Sequence, residues 1–374
     1  MKEKPLAKSI YSQHQAEFSD AMLQQVRTQL VMLPLHERTR RERGRLLSHL
    51  AGIYWRQGKY REAINVWQQV IEIARQENDR EILATAYSAL ATTYAHSGDS
   101  ESAVRYAKQG LAYSPHNVKL MYALALAFDF AGDEQNTLTW LRRAITQDPA
   151  FQIAYEQLGR LHFRRGRFGE AEQFLHKALE LDPISTVGLN ELGNLYVAWK
   201  RFEEAFVQFH RARELEPDNP TAYNNIGNAY LRMGKLDEAR RWFERRVQIK
   251  PADALSAHLG LGVIYRTLPG DKAARQSAEH FHQVLVVHAS DKARLLSDRI
   301  LEHDARRALA LTGLDDPETL TAWQAVVTHP DLPQIGPGPR SDWLHSLTLL
   351  AQAPNPPREV ETVLALLRTK FERD

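Results

Sequence analysis

Leu192-Gly-Asn-Leu-Tyr196, followed by Ala205-Phe-Val-Gln-Phe209, Ala212 and Pro217, decides how this chain folds. Leu192 and Tyr196 are four residues apart, as are Ala205 and Phe209, so each pair lies on one face of a helix. Two amphipathic helices follow one another, each with a stripe to bury. The pattern returns 34 residues later as Ile226-Gly-Asn-Ala-Tyr230, Ala239, Phe243 and Pro251, and Pro115, Pro149, Pro183, Pro217 and Pro251 keep the same interval.

Self-similarity at such a period marks helical units that stack along one axis, so the 374 residues need not divide into separate globular domains. Ala51, Ala91, Ala125, Gly159, Gly193, Gly227 and Gly262 on the first helices, with Ala63, Ala103, Ala171, Ala205 and Ala239 on the second, let helix backbones approach closely. Gly58, Gly98, Gly132, Gly166 and Gly234 stand where a helix must end in a left-handed residue before the chain reverses. Lys200 holds that place in the fifth repeat, which predicts a strained or differently shaped turn. The prolines stop each second helix, since proline cannot continue the hydrogen-bond ladder.

These residues resemble the tetratricopeptide repeat family, whose pattern is Trp-x2-Leu-Gly-x2-Tyr, Ala-x3-Phe and a late Pro over one such period. The match is gap-free from about Ala84 to Pro251 and extends back through a longer first repeat with Leu50, Tyr54, Ala63 and Trp67. The resemblance implies an all-α, right-handed superhelical solenoid of antiparallel helix pairs with helical caps at both ends. Its repeats are expected at 44–83, 84–117, 118–151, 152–185, 186–219, 220–253 and, degenerate, 254–290. The seventh keeps Leu261-Gly262-x-x-Tyr265 but runs about three residues longer, read as a small loop inserted at its turn. Residues 1–43 form the N-terminal cap, with a helix from Gln15 to Leu33. Residues 291–374 form the C-terminal cap, with helices near Asp291–Leu311, Asp316–Val327, Ser341–Ala351 and Arg358–Phe371, and a Pro/Gly-rich loop over 329–340.

Chemistry is absent from the motifs. The chain has no cysteine, which removes disulfides, Cys-ligated metals and thiol nucleophiles, and no phosphate-binding loop, Gly-x-Gly-x-x-Gly, His-Glu-x-x-His or Gly-x-Ser-x-Gly. His280 and His282 diverge on a helix, and adjacent Glu302, His303 and Asp304 do not face one another, so neither set is read as a metal or acid–base site. His162 stands where other repeats carry Tyr or Phe, a core position that needs a hydrogen bond. No enzyme activity, cofactor or metal is expected.

Lys and Arg number 48 against 46 Asp and Glu, so nucleic acid is not the expected partner, and the basic runs read as solvated helix faces. No apolar stretch approaches the roughly 20 residues that cross a bilayer, and no secretory leader is readable, so no membrane insertion and a cytoplasmic location are expected.

The resemblance also implies a concave groove walled by the first helices. Opposite the packing stripe, register places Asn190, Glu191 and Asn194 in the fifth repeat and Asn224, Asn225 and Asn228 in the sixth. Tyr122, Asp129 and Phe130 fall there in the third repeat and Glu156, Gln157, Arg160, Phe163 and Arg164 in the fourth, while Arg56 and Arg232 add positive charge suited to an acidic partner segment. An asparagine row can pair with both C=O and N–H of an extended peptide. The run Ala222–Tyr230 is similar to repeats of the O-linked N-acetylglucosamine transferases, where asparagines hold a peptide backbone; asparagine is equally a common solvent-facing residue of this consensus. Relatives that clamp a chaperone's terminal carboxylate are matched at Asn194 and Asn225 only, with Asn190, Ser256 and Gly260 where two lysines and an arginine belong. The expected function is a non-enzymatic adaptor or scaffold holding a peptide or partner helix in this groove, with an assembly role. A structural subunit using the convex face or C-terminal cap, and a peptide-sensing regulator, remain open alternatives.

Overall fold

The computed structural model describes residues 15–33, 37–249, 254–291, 297–329 and 337–371. Among them are nineteen helices and no strand. They are α1 (Gln15–Met32), α2 (Glu37–Arg56), α3 (Tyr60–Gln76), α4 (Arg80–His96), α5 (Ser100–Tyr113), α6 (Val118–Phe130), α7 (Glu134–Gln147), α8 (Gln152–Arg164), α9 (Phe168–Leu181), α10 (Thr186–Ala198), α11 (Phe202–Leu215) and α12 (Pro220–Arg232). They continue as α13 (Leu236–Ile249), α14 (Leu255–Thr267), α15 (Asp271–Asp291), α16 (Ser297–Leu314), α17 (Thr319–Val327), α18 (Pro337–Ala351) and α19 (Val360–Phe371). Two compact bodies result, Met1–Ala154 and Tyr155–Asp374.

Local chemistry punctuates the repeats. Four of the first helices open on polar caps: Asp79 accepts from the Ile82 N–H at 3.0 Å, Asn117 from Leu120 at 3.1 Å, Ser185 from Gly188 at 3.1 Å and Asn219 from Thr221 at 3.0 Å. The second helices α5, α7, α9 and α11 stop two residues before Pro115, Pro149, Pro183 and Pro217; Pro251 lies outside the described residues. Between the paired helices Gly58, Gly98, Gly132, Gly166 and Gly234 adopt positive φ. Lys200 does the same at φ 63°, where its Cβ crowds the backbone. Lys200→Gly is therefore expected to stabilise the C-terminal body by about 1 kcal/mol, the relief of strain exceeding the added chain entropy, as read by the urea midpoint.

In the N-terminal body, α1 packs on α2, and Leu23 and Val26 join a core of Leu47, Leu50, Trp67, Ile71 and Tyr87. The leading helix of the first repeat already covers Glu37, ahead of the expected repeat boundary at Gly44. In the C-terminal body Phe209 of α11 and Phe243 of α13, at equivalent places in their repeats, press against glycines. A Cβ on Gly193 would lie 2.3 Å from the Phe209 ring, and Phe243 sits between Gly227 and Gly260 in the same way.

The seventh repeat corrects one expectation. Its turn, Leu268–Gly270, is as short as the others, and the additional residues extend α15, whose Ser277 and Phe281 fall three places later than Ala239 and Phe243 do in α13. Extra backbone inside a helix keeps its hydrogen bonds, whereas an inserted loop would have to find new ones. Phe281 lies between Gly262 and Gly313, so α16 takes the place that the next repeat's first helix would occupy. Asp315 at φ 58° supplies the left-handed turn before α17.

The C-terminal helices form one core with Trp323, Trp343, Leu347, Leu350, Val363 and Leu367. The indole N–H of Trp323 donates to the Thr312 hydroxyl at 3.0 Å. Asp291, expected to open a helix, is instead the last described residue of α15, and the next described helix is Ser297–Leu314; the Pro/Gly-rich stretch is helical over its described residues from Pro337. Residues 330–336 of that stretch lie outside the described residues.

Candidate functional site

In the C-terminal body the inner faces of the first helices are joined side chain to side chain. Ser185 donates to the buried Glu156 carboxylate at 2.6 Å, and Arg160 on α8 faces Glu191 on α10 at 3.6 Å. Asn190 is not part of an open wall. It is 7% exposed, donates to the Thr186 carbonyl at 2.7 Å and accepts from Asn225 at 3.0 Å. The carboxamide Oδ1 of Asn224 is buried as well, without a hydrogen-bond partner among the described residues. Asn190 satisfies itself within its own helix and against the next one, which register alone does not reveal. Asn194 and Arg164 remain half-buried on that face.

Beyond α10 the wall is covered by the chain itself. Helix α18 packs against α10, α14 and α16. Arg232 at the end of α12 donates to Asp342 at 2.5 Å, and Nε2 of His345 donates to the Leu231 carbonyl at 2.9 Å. Asn228 and Arg232, expected in the groove, thus line a cavity beneath α18.

In the N-terminal body the inner edge is aromatic. Trp55 meets His96 edge to face with ring centres 5.5 Å apart, His96 meets Phe130 at 5.3 Å, and Tyr60 stacks on His96 at 6.5 Å. Trp55 is 37% exposed and the other three rings are half-buried. Tyr122 meets Phe151 edge to face at 6.0 Å, Asp129 is half-buried and Arg56 is exposed. The row was missed as a row, although His96 and Phe130 hold equivalent positions one period apart.

The histidines behave as separate cases. His162 is buried, with Nδ1 3.1 Å from the Glu170 carboxylate. His258 on α14 and His280 on α15 bring their Nδ1 atoms to 2.9 Å with ring centres 5.2 Å apart, so the two nitrogens point at one another, one donating and one accepting. Burial, then the neighbouring His280, then Arg246 push His258 down to about 4, and burial lowers His280 as well. Among the described residues no group of three or more His, Asp or Glu is placed to hold a metal, and no helix is long and apolar enough to cross a membrane.

Stacked antiparallel helix pairs with glycine-gripped phenylalanines and a fixed period define a helical-repeat interaction protein. Tetratricopeptide repeat models match residues 42–115, 88–150, 152–184, 193–234 and 220–253, together more than half of the chain. The chain belongs to the tetratricopeptide repeat family. No curated protein matches it. Among solved structures it is similar to a tetratricopeptide repeat protein from Parabacteroides merdae, at 17% identity and TM-score 0.50, over 74% of this chain and all of that one, coverage 100%. It is also similar to Pseudomonas aeruginosa PilF, at 19% identity and TM-score 0.46 over 56% of this chain and 93% of that one. A third similar structure is MamA, at 25% identity and TM-score 0.37 over 42% of this chain and 92% of that one.

Proposed function

We propose that this protein is a non-enzymatic adaptor that holds an extended segment of a partner protein against the first-helix face of its N-terminal body. The observation that carries this reading is the row Trp55, Tyr60, His96 and Phe130, part-exposed rings repeated on the same edge of successive helix pairs. Aromatic rings of that kind supply large contact area with few torsions to freeze, and they dominate binding energy at interfaces. Arg56 beside the row favours a segment that also carries acidic side chains. Binding alone is the mechanism, and a role in assembling larger complexes follows from it.

Selection from a displayed peptide library against the full chain tests the reading. Trp55→Ala with Phe130→Ala should weaken the selected peptides by about tenfold or more with unchanged helical circular dichroism. Equal binding by the double variant sinks the assignment. Asn190→Ala is unsuited to this purpose, because it strips Asn225 of its partner and alters the stack itself.

A second reading, a structural subunit that docks through its C-terminal cap, is favoured by the apolar cleft of about 590 Å³ between α17 and α19, lined by Leu320, Val327, Ala365 and Leu366. Leu366→Glu should then abolish co-purification with a complex while leaving peptide selection untouched. Retention of the complex by that variant counts against it.

A further inference from the structure

Two successive turns of the C-terminal body hold cations where local stability favours other residues. Lys200, ahead of α11, takes φ 63° where five other repeats place Gly58, Gly98, Gly132, Gly166 and Gly234. Asn78 and Asp315 also have positive φ, but their short polar side chains tolerate that conformation and a lysine does not. Arg167 stands directly before α9, where Asp99 and Asp133 cap α5 and α7 by accepting the Ser102 and Asn136 N–H groups at 2.9 and 3.0 Å, and it caps nothing. A cation there also meets the positive end of the helix dipole. Cations precede α3, α11 and α13 as well, and of these Arg201 is engaged by Glu172 and Glu204.

Both turns border touching rings. Phe163 at the end of α8 meets Phe168 at the start of α9 with ring centres 6.0 Å apart, and Phe168 meets Trp199 at 5.8 Å. Trp199 is 38% exposed, yet its indole is held: the Arg201 guanidinium lies 4.9 Å from its ring centre and is fixed by Glu172 at 2.9 Å and Glu204 at 2.7 Å. An exposed ring fixed beforehand has little freedom left to lose on binding. Lys200 beside Trp199 and Arg167 beside Phe168 are exposed, and neither has a carboxylate partner among the described residues. Of the carboxylates that open α9 and α11, Glu170 faces His162 and Glu204 holds Arg201, which leaves Glu203 against the two cations. A strained residue kept next to fixed, exposed rings is where a sequence gives up stability for a use outside the chain.

We propose that Phe163, Phe168 and Trp199, with Lys200 and Arg167 at their border, form a second docking surface, and that its partner is an acidic protein segment with an aromatic side chain between its carboxylates. The aromatic side chain packs on the exposed part of Trp199, and the carboxylates on either side reach Lys200 and Arg167. Glycine in the Lys200 turn would give a more stable body with a weaker surface, which accounts for a lysine there. None of these residues belongs to the row of the N-terminal body, and the inference is independent of it.

Selection from a displayed random peptide library against the full chain carrying Trp55→Ala and Phe130→Ala, in which the N-terminal row is removed, tests the surface. The selected peptides should be rich in Asp and Glu around an aromatic residue. Lys200→Gly should weaken them by about fivefold or more while raising the urea midpoint, and Arg167→Asp, which supplies the missing cap, should do the same. Trp199→Ala should weaken them by about tenfold or more. A variant that binds less while folding more stably does not owe its loss to unfolding. If the selected peptides carry no excess of acidic residues, or if either Lys200→Gly or Trp199→Ala binds them as tightly as the parent chain does, the proposal is overturned.

Discussion

Phe281→Ala should destabilise the C-terminal body by about 3–5 kcal/mol, measured by urea unfolding followed through tryptophan fluorescence. The ring is fully buried and lies between Gly262 and Gly313, where a Cβ would come within 2.7 and 2.1 Å of it. Glycine-lined walls have no side chains that could lean inward, so the space left by the ring stays empty and the cost falls at the upper end for a Phe truncation. The same ring joins the last repeat to the core of Trp323 and Trp343, so fluorescence from those residues should change at lower urea than the helical signal of the chain as a whole. Gly313→Ala attacks the same joint from the other side, by overpacking, and should cost about 1–3 kcal/mol. A loss under about 1 kcal/mol for Phe281→Ala would show that the joint relaxes and that the cap is not held by this ring.

Acidification should weaken the same body through His258 and His280. His258 titrates near 4 when folded and near 6.5 when free, so between those values the unfolded chain binds the additional proton. The stability is fully present above about pH 6.5 and is lost as the pH falls through the window toward 4. The cause is geometric: protonating the acceptor nitrogen sets two N–H groups against each other at 2.9 Å and adds a charge near Arg246, with Glu279 opposing. The site is only half-buried, and after solvent screening about 2 kcal/mol remains. Urea midpoints at pH 7.5 and 4.5 should show the difference, and His258→Phe, which keeps the ring contact with His280 possible while His280 stays stacked on Tyr265, should remove most of it. An unchanged pH profile in that variant would place the acid sensitivity elsewhere.

Much of the fold was legible in the sequence because helix pairing here is local. Leu192 with Tyr196 and Ala205 with Phe209 fix each helix's buried face, and the turn residues fix where the chain reverses, down to the strained Lys200. The seventh repeat was misread because three extra residues look the same on paper whether they lengthen a loop or a helix. The inner wall was legible only as register. Which side of a helix faces inward follows from the packing stripe, but whether Asn190 meets solvent or Asn225 depends on the neighbouring helix. No local signal announced that α18 would return from more than a hundred residues downstream to meet Arg232 and Leu231.

That return has an evolutionary corollary. Inserting or deleting one helix pair within α12 to α16 would shift Asp342 and His345 off Arg232 and Leu231 by about 8–10 Å, the spacing of packed helices. Pairs ahead of α10 are under no such constraint. Homologues of this chain should therefore differ in length on the N-terminal side of α10 and keep a constant count behind it.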